Sequence, residues 1–203
     1  TLPFVVFNSH AFASGEPVEV EMGGVRADAV LEDADGVAVP FQRIQSEATA
    51  HGRTRFVFQP ELPAFGYRLY RVRNPEATEA PADGAAADAD GSLVCHATRL
   101  ENDHVALEIN TETGCVSSLV DKRLGVNLFQ AEAARPVVIR DASDTWSHNV
   151  FRFDEVIGTF EPTRVELVEE GPVRGMIRVT STFGESELVQ EFLLYAGRER
   201  VDV

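Results

Sequence analysis

The sequence predicts an all-β protein, and three patterns carry that prediction. Apolar and polar residues alternate at 18–22, 104–109 and 163–168, which is typical of strands with one buried face. Turn residues separate short apolar runs along most of the chain. No long segment combines the helical period with capping residues at both ends.

The first 73 residues are expected to form a small β-sandwich. Apolar or alternating runs of strand length lie at 4–7, 18–22, 27–31, 37–39, 54–58 and 67–72. Asp33-Ala-Asp-Gly36 separates the third and fourth runs, and Asp-Gly between apolar runs is a strong hairpin signal. Short strands separated by turn residues in this way are typical of a sandwich.

Residues 74–92 have the composition of a flexible linker. This stretch contains two prolines, repeated alanines and five acidic residues, and it has no aromatic or basic residue. Such a segment buries too little apolar area to offset the conformational entropy it would lose on folding.

Residues 93–203 predict a second β domain, an antiparallel meander. Turns are expected at 112–114, 121–125, 170–172, 184–185 and 196–198, each between apolar runs. The last run reaches Val203, so a strand is expected to end the sequence without a completed sheet. We therefore expect this segment to be the first part of a larger sandwich.

Charge and cysteine content narrow the classes of partner. The net charge is −15, and a polyanion without a basic stripe does not attract nucleic acid or anionic lipid. No apolar run is long enough to span a bilayer. Cys95 and Cys115 are expected to be buried thiols, with a disulfide between them as the alternative.

The usual chemistry-bearing motifs fail on spacing. Asp33-Ala-Asp-Gly36 and Asp88-Ala-Asp-Gly91 lack the later glutamate of a calcium loop. Cys95, His96, His104 and Cys115 match no zinc-site spacing. Glu169 and Glu170 are adjacent, which is a poor arrangement for a glycosidase pair. We therefore assign no catalytic residue and no metal ligand.

The segment Asp144-Thr-Trp-Ser-His148 is the one candidate for a binding site. It holds the only tryptophan of the chain, and tryptophan stacks on sugar faces while Asp144 and His148 offer groups for hydroxyls. The competing interpretation is structural: Trp146 is anchored in the core and Asp144 closes a turn. Both interpretations stay open at this point.

An ordered set of motifs along the chain resembles the region after the catalytic domain in α-mannosidases of glycoside hydrolase family 38. Val6-Phe-Asn8 is similar to that family's Val-Phe-Asn-Pro opening, with Ser9 in place of proline. The other matching motifs are Leu62-Pro-Ala-Phe-Gly-Tyr67, Leu100-Glu-Asn102, Thr113-Gly114 through Asp121-Lys122, Asp144-Thr-Trp-Ser-His148, Glu170-Gly-Pro-Val-Arg174 and Leu194-Tyr195 with Gly197.

The resemblance implies an Ig-like small β domain over 1–73, the linker at 74–92, and part of a galactose-mutarotase-like supersandwich over 93–203. It implies a parent enzyme that is a retaining, zinc-dependent α-mannosidase. Its nucleophile, acid and zinc lie in a barrel outside this sequence, so this region would be inactive alone and would need no cofactor of its own. Trp146, Asp144 and His148 become candidates for a loop at the rim of that barrel's active site.

The partners expected from the resemblance are the catalytic barrel of the same chain and an α-mannoside, with homo-oligomer formation left open. Bacterial members of the family are commonly intracellular, and the absence of glycosylation sequons and the sparse cysteines fit a cytoplasmic location. An independent carbohydrate-binding module and a structural spacer domain are the two competing classes.

Overall fold

The computed structural model describes residues 1–46, 51–75, 93–144 and 146–203, and none of these residues is helical. The prediction of an all-β protein is confirmed. The chain forms two compact units, which are Thr1–Leu93 with Gly171–Arg174, and Val94–Glu170 with Gly175–Val203. The linker predicted at 74–92 lies outside the described residues, apart from its first two positions. The predicted domain boundaries stay predictions.

Six strands build the first unit. They are β1 Leu2–Phe7, β2 Val18–Gly23, β3 Val30–Asp33, β4 Phe41–Ile44, β5 Arg53–Phe58 and β6 Tyr67–Arg73. They form two three-stranded sheets, of order β1-β6-β3 and β2-β5-β4. Each described pairing is antiparallel, and β1 pairs with β6 along its whole length.

The core of the first unit is aromatic and draws on both sheets. Phe56 and Phe58 of β5 and Leu31 of β3 are fully buried, and Phe4 of β1 packs against them. The Phe58 ring lies 4.9 Å from that of Tyr70 and 5.9 Å from that of Phe4. A core shared by two sheets is the arrangement of a sandwich.

The Asp-Gly turn of the first unit forms where it was predicted, but the second strand predicted for this hairpin, at 37–39, does not form. Asp33 Oδ1 accepts hydrogen bonds from the backbone N–H groups of Asp35 and Val37, and Gly36 adopts a φ of 84°. The run at 37–39 is not a strand, because only a single bridge between Glu32 and Ala38 forms there. The residues that precede β3 at 27–29 also lie outside a strand.

Glu32 is a largely buried carboxylate on β3 that two arginines of β6 neutralise. Arg73 Nε lies 2.6 Å from Glu32 Oε1 and Arg71 Nε lies 3.2 Å from Oε2. The hydrogen bond from Arg73 is the main cause that holds the pKa of Glu32 below its ordinary value. The Glu32 carboxylate therefore links β3 to β6.

Residues 171–174 belong to the first unit, although their neighbours on both sides belong to the second. Gln42 Oε1 accepts hydrogen bonds from the backbone N–H groups of Val173 and Arg174, at 3.2 and 2.8 Å. The Arg174 side chain is almost fully buried and its Nη1 lies 2.5 Å from Glu19 Oε1. A side chain at Gly171 would overlap Gln42. The Glu-Gly-Pro-Val-Arg motif therefore has a structural role here.

Eleven strands are described in the second unit, one of which begins with Arg174 of the first unit. They are β7 Val94–His96, β8 Arg99–Glu101, β9 Val105–Ile109, β10 Val116–Asp121, β11 Val126–Asn127, β12 Val137–Ile139, β13 Val156–Thr159, β14 Glu161–Glu169, β15 Arg174–Phe183, β16 Ser186–Tyr195 and β17 Val201–Asp202. The sheet orders are β11-β10-β9-β8-β7, β12-β13 and β14-β15-β16-β17. Both large sheets follow the chain order, which confirms the predicted meander.

The two large sheets of the second unit approach closely at a glycine. Gly175 of β15 lies against Cys95 of β7 and Leu100 of β8, and any side chain at this position would overlap the Cys95 sulfur. Leu100 and Ile177 are fully buried. Cys95 and Cys115 are both buried and form no disulfide, so the thiol prediction is confirmed.

Asn102 ties two segments of the second unit together, its own turn at 102–105 and the turn at 195–198. Its Nδ2 donates to the carbonyl oxygens of Tyr195 and Arg198, at 2.8 Å each. Its Oδ1 accepts from the backbone N–H groups of His104 and Val105, at 2.8 and 2.9 Å. Asn102 is 1% exposed, and its bonds to Tyr195 and Val105 are buried while those to Arg198 and His104 are partly buried. The asparagine of the Leu-Glu-Asn motif therefore holds its own turn against the turn at 195–198.

Candidate functional site

The candidate residues lie in the long loop of a two-stranded ribbon. β12 and β13 pair through Val137 with Thr159 and Ile139 with Val156. Arg140 and Glu155 extend the ribbon by one backbone hydrogen bond of 2.8 Å and an ion pair of 2.7 Å. Residues 141–154 then form the loop, of which Thr145 lies outside the described residues.

Asp144 organises this loop. Its Oδ1 accepts from the backbone N–H groups of Trp146 and His148, at 3.1 Å each, and its Oδ2 lies 2.6 Å from His148 Nδ1. The backbone N–H of Ser147 donates to the Asp144 carbonyl at 3.0 Å. One carboxylate thus closes the turn that displays the tryptophan, a pattern that aspartate favours.

The electrostatics of the loop keep Asp144 ionised. The hydrogen bond with the His148 ring is the largest cause that lowers the pKa of the Asp144 carboxyl, and the backbone N–H groups add to it. The pKa of Asp141 is also lowered, because Ser143 donates to its carboxylate from both its hydroxyl and its backbone. Both carboxylates are therefore hydrogen-bond acceptors and not proton donors.

Trp146 points away from the protein. Its side chain is 80% exposed, so the interpretation that it is anchored in the core is wrong, whereas the expectation that Asp144 closes a turn is confirmed. Phe151 is 94% and Phe153 46% exposed in the same loop. The Phe-rich sequence Val150-Phe-Arg-Phe153 follows the candidate turn directly, but sequence reasoning gave neither phenylalanine a role.

The three predicted residues are therefore brought into one turn, but not into a catalytic arrangement. Among the described residues, the His148 ring hydrogen-bonds with Asp144 and with no Ser, Thr or Cys side chain that could serve as a nucleophile. An exposed indole beside two hydrogen-bonding side chains can stack on a sugar ring and bind its hydroxyls. Ligand contact is the chemistry that this loop offers.

Other sequence candidates have structural roles. Asp33–Gly36 is the hairpin turn, and Asp88-Ala-Asp-Gly91 lies outside the described residues. Glu169 ends β14 and pairs with Met176, while Glu170 follows the strand. Across residues 1–46, 51–75, 93–144 and 146–203, no three His, Cys, Asp or Glu side chains are grouped so that they could hold a metal ion. Nor does that part of the chain contain a helix able to cross a membrane.

Comparison with family models decides what this chain is related to. Residues 100–203, just over half of the chain, match the model described as the glycosyl hydrolases family 38 C-terminal domain. The chain belongs to glycosyl hydrolase family 38. The family assignment made from the motifs is thereby confirmed, and all-β structure agrees with it. A search of curated proteins finds no match to the sequence.

Within the family 38 match, most motif residues that first suggested the family now have a described structural role. Asn102 joins its own turn to the turn at 195–198. Lys122 Nζ donates to the Asn102 carbonyl at 2.9 Å and pairs with Glu101 at 2.7 Å. Gly114 takes a φ of 66° in the turn before β10. The Asp144–His148 loop differs from these, since its tryptophan is displayed to solvent.

Proposed function

We propose that this chain is the non-catalytic C-terminal β region of a retaining, zinc-dependent α-mannosidase, and that it scaffolds a catalytic domain of the same polypeptide. The observation that carries the proposal is the match of residues 100–203 to a domain described as the C-terminal domain of family 38. The chemistry is assigned to the part of the hydrolase that this sequence does not include.

Three carboxylates of the chain lie in environments that fit this assignment of the chemistry to another part of the polypeptide. A glycosidase needs one carboxyl group whose pKa is raised so that it can act as the acid. Glu32, Glu101 and Glu132 instead have lowered pKa values, caused first by hydrogen bonds from Arg73, Lys122 and Thr113, respectively. Their environments suit acceptors in structural networks.

The zinc of the proposed enzyme does not fit the described residues of this chain. Zinc sites take three or four Cys, His or carboxylate ligands, and no such group is formed in the described ranges. We therefore assign the zinc to the catalytic domain and route no step of the reaction through this region.

The direct test is an assay of the intact polypeptide on an aryl α-mannoside, with and without a zinc chelator. We expect hydrolysis, its loss on chelation by at least a hundredfold, and recovery when zinc is restored. We expect the released mannose to keep the α configuration, as a retaining enzyme requires. An intact polypeptide that is folded but inactive on α-mannosides would contradict the proposal.

We further propose that Trp146, Asp144 and His148 contact the substrate at the rim of the active site. The turn fixed by Asp144 displays the indole to solvent, where a sugar ring beyond the scissile bond could stack on it. Asp144 and His148 would bind hydroxyl groups in this arrangement, and none of the three residues would take part in proton transfer to the leaving group.

In the intact enzyme, Trp146→Ala is expected to lower kcat/KM about 3- to 10-fold, since an aromatic stacking contact contributes roughly 0.5–1.5 kcal/mol. The effect should be larger on an extended mannoside than on a small aryl mannoside. Leu124→Ala is the matched control, because Leu124 is an exposed apolar residue of a different loop in the same unit. Unchanged kinetics on both substrates in a folded variant would end the rim assignment.

A carbohydrate-binding module is the second candidate function, and the exposure of both Trp146 and Phe151 in one loop is the observation that favours it. Such a module would bind oligosaccharide without contributing to a mannosidase site. If the intact polypeptide binds mannosides through Trp146 but hydrolyses none, this second function replaces the first.

A further inference from the structure

β1 is an outer strand of its sheet, and it pairs along one edge only. In the sheet of order β1-β6-β3 its partner is β6, and the hydrogen bond of 2.8 Å from the Asn8 N–H to the Gly66 carbonyl continues that ladder. Hydrogen-bonded pairs alternate with non-bonded pairs in an antiparallel ladder. The even-numbered residues of β1 therefore bond to β6, and the odd-numbered ones, Pro3, Val5 and Phe7, direct their backbone polar groups to the other edge.

This second edge of β1 offers five backbone groups, the carbonyls of Pro3, Val5 and Phe7 and the N–H groups of Val5 and Phe7. None of the five has a hydrogen-bond partner within residues 1–46, 51–75, 93–144 and 146–203. Pro3 agrees with this geometry, because proline in a sheet directs its missing N–H away from the ladder. An unpaired row of N–H and C=O groups is a template for a further strand.

β1 is held in place without such a further strand. It pairs with β6 along its whole length, and Asn8 anchors its end. Asn8 is 6% exposed, and its Nδ2 donates to the carbonyl oxygens of Phe12 and Pro63, at 2.7 and 2.9 Å. The free edge is therefore a fixed feature of the first unit.

Charge favours a copy of β1 as the strand that pairs with this edge. β1 contains no charged residue, whereas the other three outer strands of the first unit carry Glu19 and Glu21, Glu32 and Asp33, and Arg43. Like charges directly opposite each other destabilise a strand pair, and charges on an edge protect it from pairing. Two β1 strands bring no charges together, and repulsion between more distant charges is largely screened beyond about 8 Å at physiological ionic strength.

From these observations we infer that β1 is a dimerisation strand. Its free edge pairs antiparallel with β1 of a second copy of this chain around a two-fold axis, and the two three-stranded sheets become one sheet of six strands. The inference goes beyond the proposed function and does not depend on which reaction the intact polypeptide catalyses.

The free edge of β1 is complementary to itself. With the two-fold axis at Val5, each Val5 N–H donates to the carbonyl of the partner's Val5, and each Phe7 N–H donates to the carbonyl of the partner's Pro3. Only the Phe7 carbonyls lack a donor, because proline has no N–H, and they lie at the two ends of the seam, where water reaches them. Closed two-fold dimers are the commonest assemblies of identical chains.

The size of the seam predicts a dimer in exchange with its monomer. The paired edges of two six-residue strands bury less than the roughly 800 Å² per partner of a standard complex. Contacts below that size are typical of weak or transient association. We therefore expect the fraction of dimer to rise with protein concentration.

The test measures association of the intact polypeptide by sedimentation velocity over a range of concentrations. Val5→Glu and Val5→Lys each place like charges opposite each other at the two-fold axis, so each variant alone should dimerise roughly fivefold more weakly than the unsubstituted polypeptide. An equimolar mixture of the two variants places opposite charges there and should associate roughly threefold more tightly than either variant alone. Circular dichroism confirms that each variant is folded.

Leu69→Glu is the matched control. Leu69 lies opposite Val5 on the same face of the sheet and is 40% exposed, close to the 42% of Val5, but its strand β6 is paired on both sides. This variant should change the association constant less than about twofold, because its side chain lies two strands away from the same side chain of the partner.

A polypeptide that stays monomeric at every concentration would overturn the inference, and so would a dimer that Val5→Glu leaves unchanged. Equal effects of Leu69→Glu and Val5→Glu would indicate packing of the sheet face, and would overturn the pairing of edges. A mixture that associates no better than its two components would do the same. Hydrolysis of α-mannosides is not measured in this experiment, so the proposed function stands or fails separately.

Discussion

Replacement of Asn102 by alanine is expected to lower the free energy of unfolding by about 3–4 kcal/mol, close to the largest values seen for single substitutions. The variant leaves two backbone carbonyls and two N–H groups without their partner at a site that is 1% exposed. Each buried polar group left unsatisfied costs roughly 1–3 kcal/mol. Water that enters the space left by the Asn102 side chain can hydrogen-bond to these groups and so recovers part of that cost.

Urea denaturation followed by far-ultraviolet circular dichroism measures the effect of Asn102→Ala. Asn127→Ala is the matched control, because Asn127 Oδ1 also accepts two backbone hydrogen bonds but at an exposed site. The control should lose less than about 1 kcal/mol. Equal losses in the free energy of unfolding for the two variants would show that the contribution of Asn102 to stability does not depend on the burial of its amide.

Phe58→Ala should destabilise the first unit by about 3–5 kcal/mol, the range measured for fully buried phenylalanines. Phe58 is 0% exposed and its ring contacts those of Phe4, Phe56 and Tyr70, so its removal opens a cavity between the two sheets. Phe58→Leu refills much of that volume and should lose roughly half as much.

Thermal and urea unfolding of the unsubstituted protein, Phe58→Ala and Phe58→Leu would measure this loss of stability. Phe151→Ala provides the reference, since Phe151 is 94% exposed and its removal should change stability by less than about 0.5 kcal/mol. A loss below about 1 kcal/mol for Phe58→Ala would mean that the aromatic core repacks freely, and the sandwich description of the first unit would need revision.

Much of the fold was predictable because short apolar or alternating runs between turn residues carry a local signal. The run at 18–22 corresponds to β2 and the run at 104–109 to β9, although Ala106 is buried like its neighbours Val105 and Leu107, so β9 is largely buried on both faces. β7 and β8 were missed because each has three residues, too few for a period to show. β12 and β13 were missed because the long loop 141–154 separates two short apolar runs. The distribution of β1–β6 over two sheets depends on distant pairing, which no local pattern encodes.

The candidate loop was located from sequence, but its geometry was not. The residue types at 144, 146 and 148 indicated a turn and a stacking group. Whether Trp146 is buried depends on what the rest of the chain packs around it, and here 80% of it is exposed. The buried structural roles of Asn8 and Asn102 were not predicted, because asparagine is usually found on the surface of a protein. Both residues entered the sequence analysis only as parts of family motifs.

The pairing of β1 with β6 has a consequence for the order in which the chain can fold during synthesis. Leu2 of β1 lies opposite Val72 of β6, so the sheet that begins the chain has no partner for its first strand until about seventy further residues have been made. Within each sheet of the second unit, each strand pairs with the next one in the chain, so each sheet can grow as the ribosome releases it. We therefore expect β1 to remain unpaired, and available to chaperones, through most of the synthesis of the first unit.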